Sequence, residues 1–277
     1  MVRTKKVRRK RTREAVSEVV IPTEKNIPSK NFADYCVCLY GEKGIGKTHL
    51  ISEFDKSLMV MLEPKRRNLK IRQVNIQPKG MKELNSENPK RTPWQLLQDY
   101  VLAILEDDSV QHVGIDTVDR AYEMCMLHHC YQKGVTHPND LNDYGATWHG
   151  IKDDFETTMN KLLYADKGLA FVSHSHLREV EGQDGLTQWV PTCPPACWKY
   201  IKAVCDFALF YGYASGKNRA ITIRGNDLIW SACGTEDHFL TKGGEPISQF
   251  YTGTSQKTAY SNLCAAFSNK LSDEQIV

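Results

Sequence analysis

A chain of 277 residues, 41% hydrophobic and 25% charged, has the apolar content for one large core and lies in the ordinary globular range. No apolar run reaches the roughly 18 residues of a membrane-spanning helix, and the cationic start is not followed by the apolar stretch of a secretory signal. A cytoplasmic protein with no membrane partner is therefore expected, and its nine cysteines favour reduced, packed thiols over a disulfide framework.

Residues 1–13 hold eight Lys or Arg and no acid, so a tail of +8 is joined to a body of −5, which together make the net +3. Such a run buries no apolar surface and repels itself, and it reads as disordered. Arg8, Arg9, Lys10 and Arg11 within it are candidate contacts to nucleic-acid phosphates, because each cation can displace a condensed counterion; a solubilising tail is the plain alternative. Residues 14–34, with Pro22 and Pro28, read as a linker wrapping onto the domain edge.

From Tyr35 onward, apolar runs alternate with segments of helical period. Residues 35–40 (YCVCLY), 58–62 (LMVML), 112–115 (HVGI), 169–173 (LAFVS) and 206–211 (DFALFY) read as strands buried on both faces, the pattern of a parallel sheet. Thr92 and Pro93 mark the start of a helix whose apolar face carries Leu96, Leu97, Tyr100, Val101, Ile104 and Leu105, and Trp148, Ile151, Phe155, Met159 and Leu162 share a stripe on another. The expected class is α/β, a mostly parallel sheet flanked by helices. Residues 219–224 and 227–231, joined by Gly225-Asn226, read as a β-hairpin, and a terminal helix carries Tyr260, Leu263, Cys264, Phe267 and Leu271. The expected division is 1–34 tail and linker, 35–232 core, and 233–277 C-terminal extension.

One segment carries specific chemistry. Gly41, Glu42, Lys43, Gly44, Ile45, Gly46, Lys47, Thr48 and His49 contain G-x-x-x-x-G-K-T between an apolar strand and a helical stretch (HLISEFDKS), the context that distinguishes a phosphate-binding loop from a glycine-rich turn. The glycines let the backbone aim N–H groups at phosphate oxygens. Lys47 is expected to reach the β- and γ-phosphates, and the Thr48 hydroxyl to ligate Mg²⁺. An acid at the end of another buried strand should complete the metal site, and Asp116 after HVGI supplies it, although a lone Asp there can equally cap a helix. For the base that polarises water, Glu63 at the carboxyl end of LMVML is the first candidate, since ligands of open parallel sheets lie beyond the strand ends; Asp119 is the reserve and a surface Glu before Pro64 the plain alternative.

The order YGEKGIGKTH, a strand ending in Glu63, then GIDT, then a strand ending in SHSH (173–176) resembles the RecA-like branch of P-loop ATPases. Small phage-encoded ATPases, often labelled AAA-type, that act as single-strand-annealing or recombinase-like proteins are the most similar group. The likeness spans roughly residues 35–230, is specific only at the loop, and implies ATP and Mg²⁺ as ligands. It implies that the catalytic Glu follows the second strand, as Glu63 does, whereas in other AAA+ proteins it follows the metal-site Asp, where this chain has Thr117. It also implies that a polar side chain ending the strand after Asp116 senses the γ-phosphate, here His174 or His176. Those two rings share a strand face, and a zinc site with Cys193 and Cys197 is the other reading, although C-x₃-C is not a standard clip.

The loop expected at 177–195 would touch DNA in this family, making Arg178 and Trp189 candidates for phosphate contact and base stacking, against which Glu179, Glu181 and Asp184 weigh. Lys217 and Arg219 stand where family members can reach a neighbouring subunit's γ-phosphate, with a solvated turn as alternative. The expected function is an ATPase that binds single-stranded DNA and assembles on it as a homo-oligomeric ring or filament in phage-type recombination or replication, with a single-strand-binding protein as a possible partner and an infected bacterial host as its setting. The rivals are a nucleotide-switched protein-binding module and a packaging or helicase-type motor.

Overall fold

The computed structural model describes residues 23–63, 69–76, 91–180, 185–214 and 218–277. One sheet runs in the order β10-β8-β7-β1-β5-β4-β2-β3. Its parallel part comprises β7 (Phe207–Tyr213), β1 (Cys36–Gly41), β5 (Gly168–Glu179), β4 (His112–Asp116), β2 (Ser57–Met61) and β3 (Gln73–Asn75). β8 (Arg219–Thr222) and β10 (Gln249–Tyr251) extend it antiparallel, β9 (Ala232–Cys233) pairs with β7, and β6 (Thr187–Pro191) pairs with β5.

The apolar strands are buried on both sides because their side chains alternate between two packed layers. On one face Cys36, Cys38 and Tyr40 of β1 join Leu58, Val60, Val113 and Ile115. They pack beneath α2 (Pro93–Glu106), α3 (Val118–Lys133), α4 (Ala146–Leu163) and α5 (Pro195–Val204). On the other face Val37 and Leu39 meet α1 (Lys47–Ser52) and α6 (Gln256–Phe267). Helix α2 starts as its sequence requires: the Thr92 hydroxyl accepts from Gln95 N–H, the Gln95 side chain returns to Thr92 N–H, and Pro93 occupies the first turn. Helix α1 is shorter than the expected stretch, because Phe54 turns into the core against Phe32 and β2 begins at Ser57.

The linker is held at its end. Phe32 sits among the rings of Phe54, Phe207, Phe239 and Phe267 at centroid distances of 5.9, 5.4, 6.1 and 5.3 Å, so it joins the N-terminal segment to the last helix. Phe32→Ala is expected to cost about 3–5 kcal/mol, read as a lower urea midpoint with an unchanged slope.

Two expectations are corrected. Residues 219–231 do not form a hairpin with each other. β8 already has both edges paired, to β7 and β10, and Arg224 donates to the carbonyls of Phe239 and Ile247, which holds the following chain to the 239–248 segment. The Asn226 side chain accepts from Leu228 and Ile229 N–H groups, each at 2.9 Å. Residues 228–230 instead lie beside β6, with Trp189 N–H donating to Leu228 O and Trp230 N–H to Trp189 O. The segment read as an irregular loop, 177–195, contains the end of β5 and all of β6, an antiparallel ribbon whose register pairs Leu177 with Trp189 and Arg178 with Gln188. Beyond residue 232, β9, β10 and α6 are built into the same sheet and core.

Candidate active site

The carboxyl ends of β1, β5, β4 and β2 stand side by side, as the register shows: Gly41 opposite His174, Val172 opposite Asp116, and Asp116 opposite Met61. Gly41, His174 and Asp116 are therefore brought to one edge. Gly41 is demanded by a neighbour, since a Cβ there would lie 1.9 Å from the Tyr211 carbonyl oxygen. Gly46, at φ +116°, caps α1 in the left-handed region, where a side chain is strained, and the end of the Gln256 side chain lies over its Cα. The loop thus passes close to β7 and turns directly into the helix N-terminus.

Lys47, Thr48 and Asp116 are all buried. Lys47 Nζ donates to Gly41 O and Glu42 O, both at 2.8 Å, and so braces the loop from within. Thr48 Oγ1 donates to Asp116 Oδ2 at 2.5 Å. A hydroxyl and a carboxylate held together above a helix N-terminus are hard oxygen donors of the kind Mg²⁺ takes. The Asp116–Thr117 peptide is cis. A cleft of about 250 Å³ opens over these groups and includes Gly44, Gly46, His174 and, from the far end of the chain, Gln256.

Glu63, two residues past β2, is paired with His174: Nε2 of the ring lies 2.9 Å from Oε1, with the side chains 26% and 15% exposed. An ionised carboxylate only accepts, which puts the ring proton on Nε2. Asp119, the reserve base, accepts from the Ser173 hydroxyl at 2.9 and 3.1 Å and ties the first turn of α3 to β5. Arg120 was not anticipated. Its guanidinium is ion-paired to Glu123, and that partner first, with Glu63 and Asp119 in addition, raises its pKa further above the ordinary value.

The zinc reading of His174, His176, Cys193 and Cys197 is corrected. His174 is bonded to Glu63, His176 faces solvent on the ribbon, and Cys193 and Cys197 are buried. The hydrogen bond that the Cys193 thiol gives to Cys197, together with burial, pushes its pKa well up, so it stays protonated. Among the described residues the group of three ligand-type side chains in mutual reach is Cys125, His129 and Asp154 between α2, α3 and α4. There the Asp154 oxygens accept from Trp94 and Gln98 at 2.8 and 2.9 Å, a helix-joining network.

Trp189 is corrected as an open stacking platform. Its ring lies near-parallel to Phe210, with centroids 6.3 Å apart, and packs against the core; Tyr40 Oη donates to its carbonyl. Arg178 is exposed on the ribbon, and Arg219 opens β8, its carbonyl accepting from Thr252. Arg8, Arg9, Lys10, Arg11 and Lys217 lie outside the described residues.

A phosphate-type loop on a strand-to-helix turn, an acid two strands away and a glutamate at the next strand end are the elements of a P-loop hydrolase. The family described as the AAA domain matches residues 33–231. The chain belongs to this AAA family. Nucleotide hydrolysis is the general activity of such ATPase domains, and the sheet gives the AAA domain its RecA-like α/β architecture. A KaiC-like protein from the hyperthermophilic archaeon Pyrococcus horikoshii OT3 is a structural neighbour, with a TM-score of 0.38 and 11% identity over 69% of this chain and 79% of that one. No curated protein matches the chain. The AAA domain match ends before α6, so Gln256 lies beyond it, and no local pattern in the sequence points to that residue.

Proposed function

We propose that the chain is a Mg²⁺-dependent ATPase that binds single-stranded DNA and couples its nucleotide state to assembly on the strand, in recombination or replication of the phage type. Lys47 would face the β- and γ-phosphates, and Thr48 and Asp116 would hold Mg²⁺, which supplies charge neutralisation at the transferring phosphoryl group. Glu63 accepts a proton from, and orients, the attacking water.

The observation that carries coupling is the Glu63–His174 pair. His174 belongs to β5, and β5 continues past it into the exposed ribbon with β6. A ligand on the ribbon that shifts β5 therefore shifts the partner of the candidate base. Arg178 on the ribbon and the cationic tail give DNA two points of contact, and a neighbouring subunit's Lys217 or Arg219 would complete the site in a ring or filament. The exposed Leu177 beside Glu179 favours the second reading, a nucleotide-switched module for a protein partner, since an apolar and acidic tip suits a protein better than a phosphate backbone.

ATP hydrolysis measured with and without single-stranded DNA at two salt concentrations separates these readings. Stimulation of about tenfold or more at low salt, falling steeply as salt rises, is expected for a strand held by phosphate contacts. Deleting residues 2–13 should flatten that salt dependence and leave basal hydrolysis nearly intact. A rate indifferent to DNA in the full chain favours the protein-partner switch.

A further inference from the structure

We propose that Gln256 reads the base of the bound nucleotide and selects adenine over guanine, an inference that rests on the nucleotide-binding reading of the Gly41–Thr48 loop. Helix α6 packs on α1 in the face that holds Leu50, Ile51, Ala259 and Leu263, with Tyr260 against Phe54 at 5.3 Å. This packing brings the first residue of α6 onto the loop. A Cβ on Gly46 would lie 2.1 Å from Nε2 and 2.6 Å from Oε1 of Gln256, so the carboxamide rests on the bare Cα of the residue before Lys47. The same side chain lines the cleft over Lys47, Thr48 and Asp116. Its Oε1 is buried and has no hydrogen-bond partner among the described residues. Leaving a buried acceptor unmatched is unfavourable, and the soft terminal torsion of a glutamine lets the amide turn either end toward an incoming group.

The sheet order decides which end of a nucleotide this amide meets. Asp116, His174 and Glu63 come from β4, β5 and the end of β2, all on one side of β1; β7, β8 and β10 lie on the other, and α6 starts shortly after β10 and is tied to it where Asn262 Nδ2 donates to Tyr251 O at 3.0 Å. Groups suited to metal, water and the γ-phosphate thus occupy one flank of the loop. Gln256 approaches from the opposite flank, which is left to the nucleoside end of an extended triphosphate. A carboxamide presents a donor and an acceptor side by side, the complement of the adenine 6-amino group and its adjoining ring nitrogen. Guanine offers O6 and N7, two acceptors, on that edge, so Oε1 would oppose an acceptor.

Equilibrium binding of ATP, GTP and purine riboside 5′-triphosphate, which lacks the 6-amino group, to the full chain with Mg²⁺ tests this. The wild-type chain is expected to prefer ATP over both by about 5- to 150-fold. Gln256→Ala, checked for an unchanged melting temperature, is expected to bring the three affinities together by weakening ATP alone. A wild-type chain that does not distinguish ATP from purine riboside triphosphate overturns the proposal without any variant. So does Gln256→Ala that keeps the preference, or that weakens all three ligands equally, which assigns the amide to ribose or phosphate. A wild-type chain that binds none of the three overturns the loop reading itself, a result distinct from binding without preference.

Discussion

Lys47→Ala is expected to lower ATP turnover by at least about a hundredfold, the usual scale for removing a charge aimed at a developing transition-state charge in a water-poor site. The side chain is 5% exposed, so its ammonium acts where screening is weak. In the structure it donates to the Gly41 and Glu42 carbonyls, both in the loop it serves. The loss should therefore appear in hydrolysis and nucleotide affinity with a small change in melting temperature. Lys47→Arg is expected to rescue poorly, because a planar fork cannot occupy the place of a compact ammonium. Steady-state phosphate release against ATP concentration, with thermal melting of both variants, checks it; wild-type turnover in a folded Lys47→Ala protein removes the hydrolase assignment.

Glu63→Gln is expected to keep ATP and Mg²⁺ binding and to lose about 10²- to 10⁴-fold in turnover, the range for a general base. An amide retains the shape and an acceptor oxygen for His174, so the strand ends should stay in place while the water loses its proton acceptor. Asp119→Asn should be far milder. Its carboxylate is engaged by Ser173, and an asparagine oxygen can still accept from that hydroxyl. Nucleotide affinity and single-turnover hydrolysis of the two variants, side by side, rank them. A larger loss in Asp119→Asn than in Glu63→Gln moves the base to α3 and undoes the coupling route through β5.

The groups legible from sequence are those whose chemistry is contiguous or whose burial is periodic. The loop from Gly41 to Thr48 announces itself because one turn must supply the glycines, the lysine and the hydroxyl together. The parallel strands show as unbroken apolar runs because both faces are covered, and Thr92 with Pro93 marks a helix start because a cap acts within its own first turn. Asp116 and Glu63 followed from the loop by the rule that ligands sit beyond strand ends, and β1, β5, β4 and β2 do end together.

What tertiary structure decided are the pairings between segments distant in the chain. The ribbon of β5 and β6 has few buried positions beyond residue 174, so its alternation is faint until the partner strand supplies the register. β8 takes β7 and β10 as neighbours because open edges in the sheet compete successfully with a two-residue turn, and no local propensity records where those edges lie. Trp189 looked available to a base and is instead packed on Phe210, since burial of an aromatic ring is set by what folds against it. The Glu63–His174 bond joins residues 111 apart, and Gln256 meets Gly46 only because α6 and α1 bury their apolar faces on the same side of the sheet. Their proximity is a consequence of packing two layers around one core, a free energy summed over the whole domain that no window of the sequence contains.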